Sequence, residues 1–153
     1  MTTMTETQTT QVYQVFIMAT PEQIWAAITK PEFTAKYFYG SVVDSDLEPG
    51  EPFVYHSPDR SQLWVDGKVV ESDPPRKLVH TWRSLYDEEQ AGEEPSRVTW
   101  EIQADEDGVS KLTVVHDQLE GAPKTAESVS GAGWTMVLSG LKTLLETGKP
   151  LVG

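Results

Sequence analysis

Two histidines and three tryptophans in this chain recur at spacings that bring them onto one surface. In "LVHTWRS" (78 to 84), Leu78, His80 and Trp82 alternate with Val79 and Thr81. Alternate residues of an extended strand share a face. Val98, Trp100 and Ile102 repeat that pattern in "RVTWEIQ", and Leu112, Val114 and His116 repeat it in "KLTVVHD". A histidine facing a cavity is a candidate general base near neutral pH or a metal ligand. A metal is not expected, because there is no cysteine and no pair of histidines at i and i+4 with a following carboxylate. Base catalysis needs a positioned carboxylate, and Asp117 directly follows His116, which turns it to the opposite face. Glu71, Asp73 and Glu51 fall at a strand end or a turn. His80 and His116 are therefore the candidate catalytic residues, with buried core histidines as the simpler reading. Indoles buried together each need a partner for the N–H, and aromatic walls with a few convergent polar groups suit an orienting ligand site.

The elements that would position these residues follow from periodicity and turn chemistry. "VYQVFIM" (12 to 18) reads as a strand, and Thr20-Pro21 then opens a helix carrying Ile24, Trp25 and Ile28. Pro31 starts a second short helix with Phe33, Tyr37 and Phe38. Pro49-Gly50, "SPDR", "DPPR" and Asp107-Gly108 mark turns between antiparallel strands. In "QLWVDGKVVE" the register that faces Leu63, Val65 and Val69 inward leaves Asp66 and Lys68 in solvent, and sets Trp64 outward. The stretch "RSLYDEEQAGEEPS" reads as a solvated acidic loop. From "DQLEGAP" the chain reads as helix to Thr147, with Gly148 as a stop. Trp134, Val137, Leu138, Leu141, Leu144 and Leu145 make its apolar stripe. That helix holds Gly131, Gly133 and Gly140, each costing roughly 1 kcal/mol relative to alanine.

Composition excludes several function classes. Twelve Lys and Arg against 24 Asp and Glu give a net charge of −12, the wrong sign for tracking nucleic acid phosphates or an anionic membrane. Without cysteine there is no disulfide framework, thiolate zinc site or thiol nucleophile. No stretch is apolar over the ~18 residues a membrane span requires, and "MTTMTETQTT" has no signal-peptide pattern, so a cytoplasmic protein is expected. Residues 1–10 are expected to form a disordered tail and 11–153 a single domain.

The order β, two short helices, about six to seven strands and a long helix is α+β. The succession of "ATPEQIWAAIT", "KYFYG" (36 to 40), "DPPRKLVHTW" (73 to 82), "KLTVVH" (111 to 116) and "GW…LSGLKTLLETG" resembles the START-like (SRPBCC, Bet v 1-like) superfamily. Within it, the chain is similar to the branch of the C-terminal domain of the activator of Hsp90 ATPase, over Val12 to Leu151. The resemblance implies a helix-grip fold, in which a curved antiparallel sheet wraps the C-terminal helix around a cavity that binds hydrophobic small molecules in many members.

Such a cavity would be lined by Phe33, Tyr37 and Phe38 from the short helices and by Val65, Val69, His80, Trp82, Val98, Trp100, Val114 and His116 from the strands. Gly133, Trp134, Val137 and Leu138 would complete it from the long helix. The expected function is binding of a small hydrophobic or aromatic ligand, lipid or polyketide-like, without cofactor. A histidine-assisted cyclase or hydrolase in the same cavity is one alternative. A co-chaperone-like module docking a protein partner through its acidic loops is another, although the roughly ten residues before strand one are not expected to hold the separate N-terminal domain of the Hsp90 activators. Residue types alone do not set the oligomeric state.

Overall fold

The computed structural model describes residues 9–152; residues 1–8, most of the expected tail, lie outside the described part. β1 (Gln11–Ile17) is followed by α1 (Pro21–Thr29) and α2 (Pro31–Tyr37). Thr20 caps α1 as expected: its hydroxyl accepts from the Gln23 backbone N–H, and the Gln23 side chain accepts in turn from the Thr20 N–H. The strands are β2 (Val42–Ser45), β3 (Phe53–His56), β4 (Leu63–Asp66), β5 (Val69–Asp73), β6 (Lys77–Ser84), β7 (Ser96–Ala104) and β8 (Ser110–Asp117). Between β6 and β7 lies α3 (Glu88–Ala91); after β8 come α4 (Pro123–Ser128) and α5 (Trp134–Thr147).

The eight described strands form one antiparallel sheet in the order β1-β8-β7-β6-β4-β3-β2, with β5 also pairing β6. β5 takes the first half of the free edge of β6 and β4 the second half. The step between them falls at Gly67, whose missing Cβ would collide with the Thr81 carbonyl. This splits "QLWVDGKVVE" into two strands where the sequence reads as one. β2 is also additional: it is an edge strand of four residues, too short to show alternation.

The helices lie on one face of the sheet, where the apolar strand positions meet α5. Leu78, Val98, Trp100, Leu112, Val114 and Leu141 are wholly buried there. Gly140 allows α5 to press onto α2: a Cβ at this position would stand 3.2 Å from the Tyr37 Cβ. The C-terminal helical region is broken, however. α4 and α5 are separated by a wide π-type turn, Val129–Gly133, with Gly131 at non-helical torsions (φ −70°, ψ −114°). Two of the three glycines in this region thus belong to a kink, and only Gly140 sits inside a regular helix.

The acidic connection after β6 is more ordered than a solvated loop. Asp87 caps α3 through the Glu89 and Gln90 backbone N–H groups. Glu93 accepts from the backbone N–H groups of Lys124 and Thr125 and from the Thr125 hydroxyl, at 2.7 to 2.9 Å. It thereby supplies the cap that Ala122, at the start of α4, has no side-chain oxygen to give.

Candidate functional site

Two histidine–tryptophan pairs form the polar part of the core. The Trp100 indole N–H donates to His80 Nε2 at 3.0 Å, which leaves the proton on Nδ1 to be donated to the Thr81 carbonyl at 2.9 Å. The Trp134 indole N–H donates to His116 Nδ1 at 3.0 Å, so Nε2–H donates to the Ser96 hydroxyl at 2.7 Å. Ser96 in turn donates to the Trp82 carbonyl, and the Trp82 indole N–H to the Ser84 hydroxyl. All three indoles are satisfied.

Both imidazoles are wholly buried, and an indole N–H cannot accept a proton. Burial pulls His80 down to about 4, only partly opposed by its bond to the Thr81 carbonyl. Burial also pulls His116 down to about 3; His80 adds to the depression, while Asp117 opposes it. Asp117 points outward as its register requires and holds Arg97 through two bonds, at 2.9 and 2.7 Å. Every ring nitrogen of the two histidines is thus engaged in a hydrogen bond within the core.

An open cavity of about 650 Å³ lies beside this core, between the β3–β4–β6 part of the sheet and the π-turn with the start of α5. Among the residues expected to line it, Phe38, Val65, Trp82, Gly133, Trp134 and Val137 do so. His80, His116, Trp100, Val98, Val114, Val69 and Leu138 do not; they are packed into the core. Tyr37 is also outside the lining, its hydroxyl donating to the Ala27 carbonyl at 2.7 Å, and Phe33 packs half-buried against the core. The cavity is therefore displaced from the centre of the sheet toward one end, because the Trp100 and His116 side chains fill the centre.

Several lining residues escaped sequence reading: Tyr39, Ser41, Tyr55, Gln62, Trp64, Tyr86, Ser128 and Val129. Trp64 illustrates the reason. Tyr55 pairs with Val65 and His56 with Leu63, so Trp64 is the extra residue of a bulge. A bulge re-aims its side chain, and Trp64 lines the cavity, whereas Leu63, expected to face inward, is 38% exposed. The turn after α2 sets the opposite wall. Thr34 ties this turn to β2, its hydroxyl donating to the Ser41 carbonyl and accepting from the Val43 N–H. The left-handed pair Tyr39-Gly40 then directs Phe38 inward and leaves Tyr39 60% exposed at the mouth. Tyr39 Oη donates across it to the Gly133 carbonyl at 3.4 Å.

Half of the lining residues are aromatic. Phe38 stacks on Tyr55 with ring centres 4.6 Å apart, and Trp82 and Trp134 lie 6.0 Å apart. Tyr55 is buried, its hydroxyl has no hydrogen-bond partner among the described residues, and burial holds its pKa well above the ordinary tyrosine value.

The described residues contain no cluster of three or more His, Asp or Glu able to hold a metal, and no helix among them is long and apolar enough to cross a membrane. The model of the family described as Activator of Hsp90 ATPase homolog 1-like protein matches residues 18–146. The sequence matches no curated protein. Among solved structures, an HSP90 activator from Plasmodium falciparum is 21% identical, with a TM-score of 0.73 over 90% of this chain and 96% of that one. CalU16 from Micromonospora echinospora is 21% identical, with a TM-score of 0.69 over 91% and 77%. The Aha1 dimer from Colwellia psychrerythraea is 18% identical, with a TM-score of 0.69 over 93% and 99%. DynU16, from the dynemicin biosynthetic locus, is 22% identical, with a TM-score of 0.73 over 94% of this chain and 49% of that one.

Proposed function

We propose that this chain, which belongs to the Activator of Hsp90 ATPase homolog 1-like family, binds a small apolar or aromatic molecule between its sheet and the broken C-terminal helix. The observation that carries this reading is the aromatic-walled cavity of about 650 Å³, within the ~300–1,000 Å³ range of small-molecule sites. Phe38, Trp82 and Trp134 would supply apolar contact, and Ser41, Gln62 and Ser128 a few neutral polar groups for orientation. The similarity to DynU16 supports the reading, since that protein comes from a biosynthetic locus.

Val137 projects into the cavity from a regular part of α5. In Val137→Phe the larger side chain has open space to occupy, so the fold should persist while binding falls at least about tenfold. Native mass spectrometry and ¹H–¹⁵N shift mapping with lipids, flavonoids and polyketides would check this. If no compound at saturation moves a resonance of a lining residue in the unsubstituted protein, the reading is wrong.

The second reading is a protein partner held by the acidic loops, favoured by the similarity to an HSP90 activator. Its mark would be binding that weakens as salt is added.

A further inference from the structure

The charge of the lining narrows the ligand class. The cavity is bounded by aromatic and aliphatic side chains, two serines, one glutamine and one glycine, with no Lys, Arg, His, Asp or Glu among them. A charged group moved from water into such a space without a partner is far more costly than a neutral polar one. On the ligand-binding reading above, we propose that the cavity selects an uncharged aromatic molecule and rejects carboxylates and phosphates of the same shape.

The charges around the cavity leave this selectivity intact. Arg83 adjoins Trp82 but, by strand alternation, faces away and pairs with Asp66 at 3.1 Å. Arg60 precedes Gln62 by two residues and is not part of the lining. On the α4 side, Asp87, Glu89, Lys124 and Glu127 line a separate cleft of about 220 Å³ that meets the cavity only at Ser128. An anionic head group reaching that side would meet three carboxylates and one lysine. An ammonium is not discriminated against in this way, because the aromatic faces of the lining offer it cation–π contact. Among the lining tyrosines, Tyr39 and Tyr55 stay neutral at neutral pH, since burial raises the hydroxyl pKa of each. The groups that remain for orientation are neutral: Gln62 and Ser128 can donate to a carbonyl, hydroxyl or ether oxygen, while Ser41, whose hydroxyl donates to the Phe38 carbonyl at 2.6 Å, can accept from a hydroxyl.

Two naphthalenes of similar shape test the inference: 2-acetylnaphthalene and 2-naphthoate. Each would be titrated at pH 7 into the ¹⁵N-labelled protein, following the indole N–H signals of Trp64, Trp82 and Trp134. The ketone should bind at least about tenfold more tightly than the carboxylate. Raising sodium chloride to about 0.5 M should leave that ratio in place, because desolvation inside a cavity is not screened, whereas repulsion of the carboxylate by the net charge of −12 is. If the carboxylate binds as tightly as the ketone, the inference is overturned while the cavity stands as a binding site. A ratio that collapses in salt overturns it too, by moving the discrimination from the lining to the overall charge. If neither moves an indole signal, the ligand-binding reading itself fails, and this inference with it.

Discussion

His116 shows how one residue changes role between sequence and structure. Its spacing identifies it as an inward-facing titratable group, and inward it is, but the indole of Trp134 on one nitrogen and Ser96 on the other make it a neutral strut. The same holds for His80 between Trp100 and Thr81. A measurable consequence is pH-dependent stability. The folded chain holds these rings at about 4 and about 3, against about 6.5 for a free histidine. Between these limits the unfolded chain binds more protons, so stability rises with pH. The contribution is complete above about pH 6.5 and is lost as pH falls toward the folded values. Urea unfolding between pH 7 and pH 5 should show a slope approaching about 2 to 3 kcal/mol per pH unit, the limit for two protons. Glutamine can accept from Trp134 and donate to Ser96 but does not titrate, so His116→Gln should roughly halve that slope. An unchanged slope would assign the titration to other groups.

At the scale of elements, the strands that carry Trp82, Trp100 and His116 were legible because one buried face imposes a strict period of two. β2 and α3 were not, since four residues are too few for a period to show. The acidic connection gained order from a partner 31 residues away in sequence, where Glu93 caps α4. Replacing Glu93 with Ala leaves those α4 donors without their acceptor. It should cost about 1 to 2 kcal/mol, the range for losing a helix cap. Hydrogen exchange should accelerate most over 123–128, next to the cavity wall at Ser128. Uniform acceleration across the sheet would mean that Glu93 supports the whole domain rather than this element.

For the whole molecule, charge is the dominant collective property. The net charge of −12 on 153 residues makes the folded state repel itself. The ion pairs among the described residues, such as Arg83–Asp66 and Lys142–Glu146, are partly exposed, and exposed pairs contribute about 0–1 kcal/mol each. Screening should therefore relieve more repulsion than it removes attraction. Thermal unfolding is expected to shift upward as sodium chloride rises from ~0.01 M to ~0.15 M, as differential scanning fluorimetry would register. A downward shift would mean that the attraction within the exposed ion pairs outweighs the net repulsion.

The sequence by itself determined the class of fold and the inward set of each long strand, because side-chain alternation and turn chemistry are local. It also determined the absence of cysteine chemistry and the sign of the surface charge. Only the tertiary structure decided where the core is filled and where it is open. Hydrogen bonding between histidines and indoles closed the centre of the sheet, while a bulge at Trp64, a left-handed turn at Tyr39 and a glycine kink at Gly131 opened one end. Those features depend on which residues meet across distant segments, and the period of a single strand or helix is blind to such meetings.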